Sequence, residues 1–135
     1  MKTLLEDTLL LAAFGQVCIA ALNYSLIRIM GWREPLERLP LLVREVFQVH
    51  VWFISITLLI FAAFTVRFAG AMAAEPCRWM ACAVGVFWAI RTVLQVVYYS
   101  GSHWHGLPGR TAVHITLLAV YGGFAAVYLT AGILG

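Results

Sequence analysis

The sequence predicts an all-α integral membrane protein, an antiparallel up-down four-helix bundle built as a single domain over residues 1–135. Three observations predict it. Of the 135 residues, 63% are hydrophobic and 11% are charged, and mean hydropathy is +0.91; a soluble domain carries about 25% charged residues. Apolar stretches at about 8–30, 41–69, 77–100 and 111–134 each exceed the ~20 residues that cross a ~30 Å hydrocarbon core at ~1.5 Å per residue. Short segments rich in glycine and proline join them, so consecutive spans must run in opposite directions.

Met1 to Asp7 is a mixed-charge lead. The first span follows, from Thr8 to about Met30. It is too long, and its start too weakly basic, for a cleaved leader. Gln16, Ala20, Asn23 and Ile27 recur at helical spacing, with Ala12 and Ala13 extending the stripe. Small and polar residues on one stripe mark a helix face that packs against other helices.

Gly31 to Pro40 is the first loop, with Trp32 suited to a membrane interface and Arg33, Glu34, Glu37 and Arg38 forming a mixed patch. A short turn of interfacial helix fits there. The second span opens after Pro40, a residue suited to a helix start. At ~100° per residue, Arg44, Gln48, Trp52, Ser55 and Ala62 share one face, and His50 lies roughly opposite. The first set carries more polar groups and ends in a small residue, so it is read as inward. His50 is then directed to the flank, to a partner subunit or to a cofactor.

The third span holds the cleanest stripe: Ala81, Val84, Gly85, Trp88, Arg91, Gln95 and Tyr98. Ala81 and Gly85 permit close helix approach. Arg91 lies well inside the span, where a guanidinium facing lipid costs roughly 2.5 kcal/mol or more. It must therefore meet protein, water or an anion. The loop after it contains His103 and His105, and the fourth span carries His114, Leu118, Tyr121, Ala125 and Tyr128 on one stripe. Glycines 122, 123, 132 and 135 suit tight packing or fraying near its end.

Alternating span direction gathers the polar residues at one membrane face, including all four histidines. A pocket opening to that face, with Arg91 at its floor, is expected from Arg44, Gln48, Arg91, Gln95, Tyr98, Arg110, His114 and Tyr121. Arg28, Arg33, Arg38, Arg44 and Arg110 on that side outnumber Lys2, Arg67 and Arg78 on the other. The bias places the pocket side in the cytoplasm and both termini outside it, in a bacterial-type inner membrane. With a formal net charge of only +3, these cations read as topology and local chemistry, not as a nucleic-acid surface.

Such a pocket suits a quinone carbonyl, bound by His, Arg and Tyr donors, or a membrane lipid headgroup, bound by arginine. The same residues could instead lock the bundle, as Arg91 with Glu45, Gln95 and Tyr121, in a chain that serves a larger membrane complex or a homo-oligomer. The alternative is a small membrane oxidoreductase. Haem b could be held by His50 and His114, or a transition metal by some of His50, His103, His105 and His114. Cys18, Cys77 and Cys82 form no C-x-x-C pair, which argues against thiol oxidation.

Overall fold

The computed structural model of the chain describes residues 1–75, 77–97 and 106–135. These are 89% helical, with no strand among the described residues. Among the described residues five helices follow in order: α1 (Lys2–Ile29), α2 (Arg33–Glu37), α3 (Leu41–Met72), α4 (Arg78–Val97) and α5 (Pro108–Leu134). All but α2 are long and apolar enough to cross a membrane. The chain divides into two compact units, Leu10–Arg67 and the combination of Met1–Leu9 with Phe68–Gly135.

In Leu10–Arg67, α1 and α3 run antiparallel. Ser55 Oγ donates to its own helix at Val51 O, 2.9 Å away, and lies 3.5 Å from Ala20 O of α1. Gly31 ends α1. Its φ of +65° is easy for glycine, which has no Cβ. Trp32 N–H bonds to Ile27 O at 2.9 Å, and Gly31 N–H to Arg28 O at 3.3 Å. This pair of bonds is the Schellman closure of a helix end. It turns the chain into α2 and seats Trp32 against Phe47 of α3, ring centroids 6.3 Å apart and edge-on.

Of the α1 stripe, Ala12, Ala13, Gln16 and Ala20 are buried, while Asn23 and Ile27 are half-buried. On α3, Ser55 and Ala62 are buried and His50 is exposed. Trp52 departs from the expected inward face, being 49% exposed. Buried Leu58 and Thr65 shift the centre of the stripe, leaving Trp52 about 100° from it.

In the other unit, α4 and α5 form an antiparallel hairpin. Ala81, Val84, Gly85, Trp88 and Gln95 are the buried face of α4. Tyr121, Phe124, Ala125, Tyr128 and Ala131 are that of α5. Trp88 lies at its centre, stacked on Tyr121 (centroids 5.3 Å, 26°) and tilted against Phe124 (4.8 Å). At one end, Arg78 at the start of α4 donates to Gly135 O at 2.8 Å and pairs with Glu75. The helices approach closely at two glycines: a Cβ on Gly85 would fall 2.9 Å from Leu129 N, and one on Gly132 2.9 Å from Cys82 N.

Helix boundaries differ from expectation at three places, one being the end of α3 at Met72 where residue 69 was expected. The charged lead is already helical from Lys2, since no glycine or proline interrupts it and Leu5 and Leu9 are buried. The last helix starts at Pro108 rather than near Thr111. Proline is at home in a first turn, where its missing N–H would have no partner. Thr111 Oγ1 then bonds back to Leu107 O at 3.1 Å.

Candidate functional site

Of the residues expected at a polar pocket, Arg44 and Gln48 belong to Leu10–Arg67, and Arg91, Gln95, His114 and Tyr121 to the other unit. Leu10–Arg67 holds a cleft of about 710 Å³ between the end of α1, α2 and the start of α3. Its apolar wall includes Ile27, Leu36 and Phe47, and its polar wall Tyr24, Arg28, Arg33, Glu34, Glu37, Arg44 and Gln48. Helical spacing builds it. Tyr24, Ile27, Arg28 and Gly31 occupy adjoining positions at the end of α1, and Arg44, Phe47 and Gln48 do so on α3. The Schellman turn at Gly31 brings α2 across as the third wall.

The charges of α2 satisfy one another along the helix. Arg33 Nε lies 3.7 Å from Glu37 Oε1, and Arg38 pairs with Glu34. These pairs are highly exposed and contribute little to stability. Arg44 and Gln48 were expected at a polar pocket and do line this cleft. Tyr24, Phe47 and Arg28 were not. Arg28 had the same helical register with Ile27 as a signal, but counted only as a topology charge.

The residues of the other unit lie in the α4–α5 hairpin. Arg91 Nη1 donates to Gln95 Oε1 at 2.9 Å, one helical turn along α4. The Arg91 guanidinium carbon sits 4.8 Å from the centroid of the Tyr121 ring, within cation–π range. Gln95, 3% exposed, places Nε2 2.8 Å from His114 Nδ1 on α5. The donor inventory sets the direction of these two contacts. Arginine has no acceptor, so Gln95 must present its oxygen to Arg91. Its NH₂ therefore faces His114 and donates. His114 Nδ1 accepts, which leaves the ring N–H on Nε2. In ¹⁵N NMR of labelled protein at neutral pH, His114 is expected as the Nε2–H tautomer; an Nδ1–H signature would overturn this polarity.

That tautomer bears on the cofactor alternative. A histidine that ligates haem iron or a metal through Nε2 uses that atom's lone pair and donates Nδ1–H to an acceptor. Gln95 offers His114 Nδ1 a donor instead. Ligation through Nε2 would require the Gln95 amide to turn over, breaking its bond with Arg91. His50 has the opposite arrangement: Nδ1 is 2.8 Å from Val46 O, a carbonyl that can only accept, so Nε2 keeps its lone pair. His50 is exposed on α3. Among the described residues, no group of three or more His, Cys, Asp or Glu side chains is placed to hold a metal ion.

Arg110 is exposed in the first turn of α5. Tyr98, His103 and His105 lie outside the described residues. The hydroxyls within the apolar helices bond back along their own helix: Thr57 to Phe53 O, Thr65 to Phe61 O and Thr92 to Trp88 O, each at 2.8 Å. Among the described residues, no buried side-chain nitrogen or oxygen lacks a partner. Compared with known proteins, the chain matches no protein family, no curated protein and no solved structure.

Proposed function

We propose that this chain is a small integral membrane protein whose α1–α2–α3 cleft binds the polar head of an amphipathic ligand, a lipid or a quinone. The four long helices cross the membrane as an antiparallel bundle, in a bacterial-type inner membrane, with both termini on the non-cytoplasmic side. Large apolar side chains such as Phe14, Phe53, Trp79 and Val97 are exposed at 67–76%. Water would make that surface costly, whereas acyl chains accept it.

The observation that carries the ligand reading is the composition of the cleft. Ile27, Leu36 and Phe47 stand beside Tyr24, Arg28, Arg44 and Gln48 in one cavity, an apolar wall with convergent hydrogen-bond donors. Arg91 plays a different part in this reading. Gln95 and Tyr121 hold it within the hairpin, so it joins α4 to α5 and is not the floor of the ligand site. Haem or metal oxidoreduction is the weaker alternative, because ligation through His114 Nε2 would require the Gln95 amide to turn over and give up its bond with Arg91.

Three measurements test the proposal. The chain is expected to resist alkaline extraction from membranes, and a reporter fused after Gly135 is expected on the non-cytoplasmic side. Release by alkali would remove the membrane reading, and a cytoplasmic reporter would reverse the orientation. Delipidated protein in detergent is expected to gain several degrees of thermal stability on addition of lipid extract or a quinone, since a ligand bound only to the folded state stabilises it. If neither class raises the unfolding temperature, the cleft is not a ligand site.

A further inference from the structure

We propose that the head bound in the α1–α2–α3 cleft is a phosphate monoester, held between Arg28 and Arg44 with Gln48 and Tyr24 as neutral donors. This inference rests on the ligand reading above and names its chemistry.

The argument begins with charge balance. Five of the residues lining the cleft are charged: Arg28, Arg33, Glu34, Glu37 and Arg44. Both carboxylates are engaged within the α2 region, Glu37 by Arg33 and Glu34 by Arg38. Among the described residues, Arg28 and Arg44 make no ion pair or side-chain hydrogen bond, and neither do Gln48 and Tyr24. The cleft thus presents two uncompensated guanidiniums, and its uncommitted polar groups include an amide NH₂ and a phenol. Glu45 is next to Arg44 in sequence but does not line the cleft.

Helix ends sharpen the point. Arg28 is in the last turn of α1, where the partial negative charge of the terminal carbonyls suits a cation. Arg44 is near the start of α3, where the partial charge is positive and no acidic residue stands in the first turn. The helix end is unfavourable for Arg44, and an anion in the cleft would satisfy both Arg44 and that end.

Three properties select the ligand. A phosphate monoester carries about −1.5 to −2 charge near neutral pH, matching two guanidiniums. Its oxygens accept the paired N–H bonds of arginine's planar fork. The adjoining Ile27, Leu36 and Phe47 wall suits an apolar tail, which makes a phosphatidate-type lipid the fitting source. A free phosphate offers the same head without the tail. A quinone is neutral and would leave both arginines uncompensated.

The test uses the full chain, purified and delipidated in a neutral detergent. Thermal stability and bound ligand by native mass spectrometry are recorded with dioleoyl phosphatidate, dioleoyl phosphatidylcholine, inorganic phosphate and a short-chain quinone. Phosphatidate is expected to bind at least about tenfold more tightly than phosphatidylcholine. Arg28→Gln and Arg44→Gln are each expected to weaken it about tenfold, the scale of one lost charge-assisted bond. Arg44→Lys, which keeps the charge and loses the fork, is expected to fall between. Arg110→Gln removes an equal charge at an exposed residue that neither lines the cleft nor pairs with a residue lining it, and is expected to change affinity less than about twofold.

Inorganic phosphate binding as tightly as phosphatidate, with the same arginine dependence, would support the phosphate head and remove the amphipathic requirement. Quinone or phosphatidylcholine binding as tightly as phosphatidate, lost in Phe47→Ala but indifferent to Arg28→Gln and Arg44→Gln, would overturn the phosphate inference and leave the amphipathic cleft standing. Failure of all four probes to bind would overturn both.

Discussion

Gln95→Leu is expected to be the most damaging polar substitution in the chain. Leucine is close in size, so the effect would come from hydrogen bonding and not from a cavity. Gln95 is 3% exposed and spans two helices through its two amide ends, Oε1 to Arg91 at 2.9 Å and Nε2 to His114 at 2.8 Å. The leucine would cost Arg91 a charge-assisted bond, worth about 1.5–3 kcal/mol, and leave His114 Nδ1 without this donor, at about 1–3 kcal/mol if it stays dry. Partial relaxation should hold the total near about 3 kcal/mol. Reversible unfolding in mixed detergent would measure it, with Val96→Ala on the exposed side of α4 as a reference. A loss below about 0.5 kcal/mol would mean that the network contributes no stability.

Gln95→Glu should behave differently. An ionised carboxylate accepts but cannot donate. It would strengthen the contact with Arg91 and require His114 to donate through Nδ1–H. The protein should remain folded, with the His114 tautomer reversed in ¹⁵N NMR. Nε2 would then carry the lone pair that metal ligation uses. Retention of the Nε2–H tautomer in the Gln95→Glu protein would show that some contact other than residue 95 orients the ring.

The second large effect is expected at Gly132. Alanine there would set its Cβ against Cys82 Sγ, 2.9 Å from Cys82 N and 3.2 Å from Arg78 O. The sulfur could rotate away. The other two atoms belong to the backbone of α4, so the helices would have to separate. Overpacking of this kind costs about 1–3 kcal/mol, against which alanine gains up to about 1 kcal/mol of helix propensity over glycine. Separation at this end would also lengthen the Arg78 bonds to Gly135 O and Ile133 O, now 2.8 and 3.4 Å. Gly123→Ala is the matched comparison, because no atom outside its own helix lies within 4 Å of a Cβ at that position. Gly132→Ala is therefore expected to destabilise and Gly123→Ala to be neutral or stabilising. Equal effects at the two positions would mean that α4 and α5 are not packed at this distance.

Much of this fold can be read from residue order because the signals are local. Length and apolar composition mark four long helices, since a helix satisfies its own backbone whatever surrounds it. Periodicity marks Ala81, Val84, Gly85, Trp88 and Gln95 as the buried face of α4, because a 3.6-residue repeat aligns them without reference to a partner. The Arg91–Gln95 bond belongs to the same class, joining positions one turn apart. Gly31 and Pro40 likewise bound α2 by backbone chemistry alone.

The rest depends on register between segments distant in sequence. Nothing in the order of residues says that His114 meets Gln95 and not another side chain; the stagger of α4 against α5, set where Gly85 and Gly132 let the backbones approach, decides it. Trp52 was misread because Leu58 and Thr65 turn the buried stripe of α3, and an apolar residue that prefers an interior cannot be told by periodicity from one that faces lipid. Arg28 and Arg44 share a cleft because a Schellman turn at Gly31 folds α2 across the ends of α1 and α3. The sequence could group Arg44, Gln48, Arg91, Gln95 and His114 only by their level along the spans. Tertiary structure placed Arg44 and Gln48 in a cleft within Leu10–Arg67 and joined Gln95 of α4 to His114 of α5 beside Arg91. Hydrogen bonds act over about 3 Å, a distance that tertiary packing sets and residue order does not.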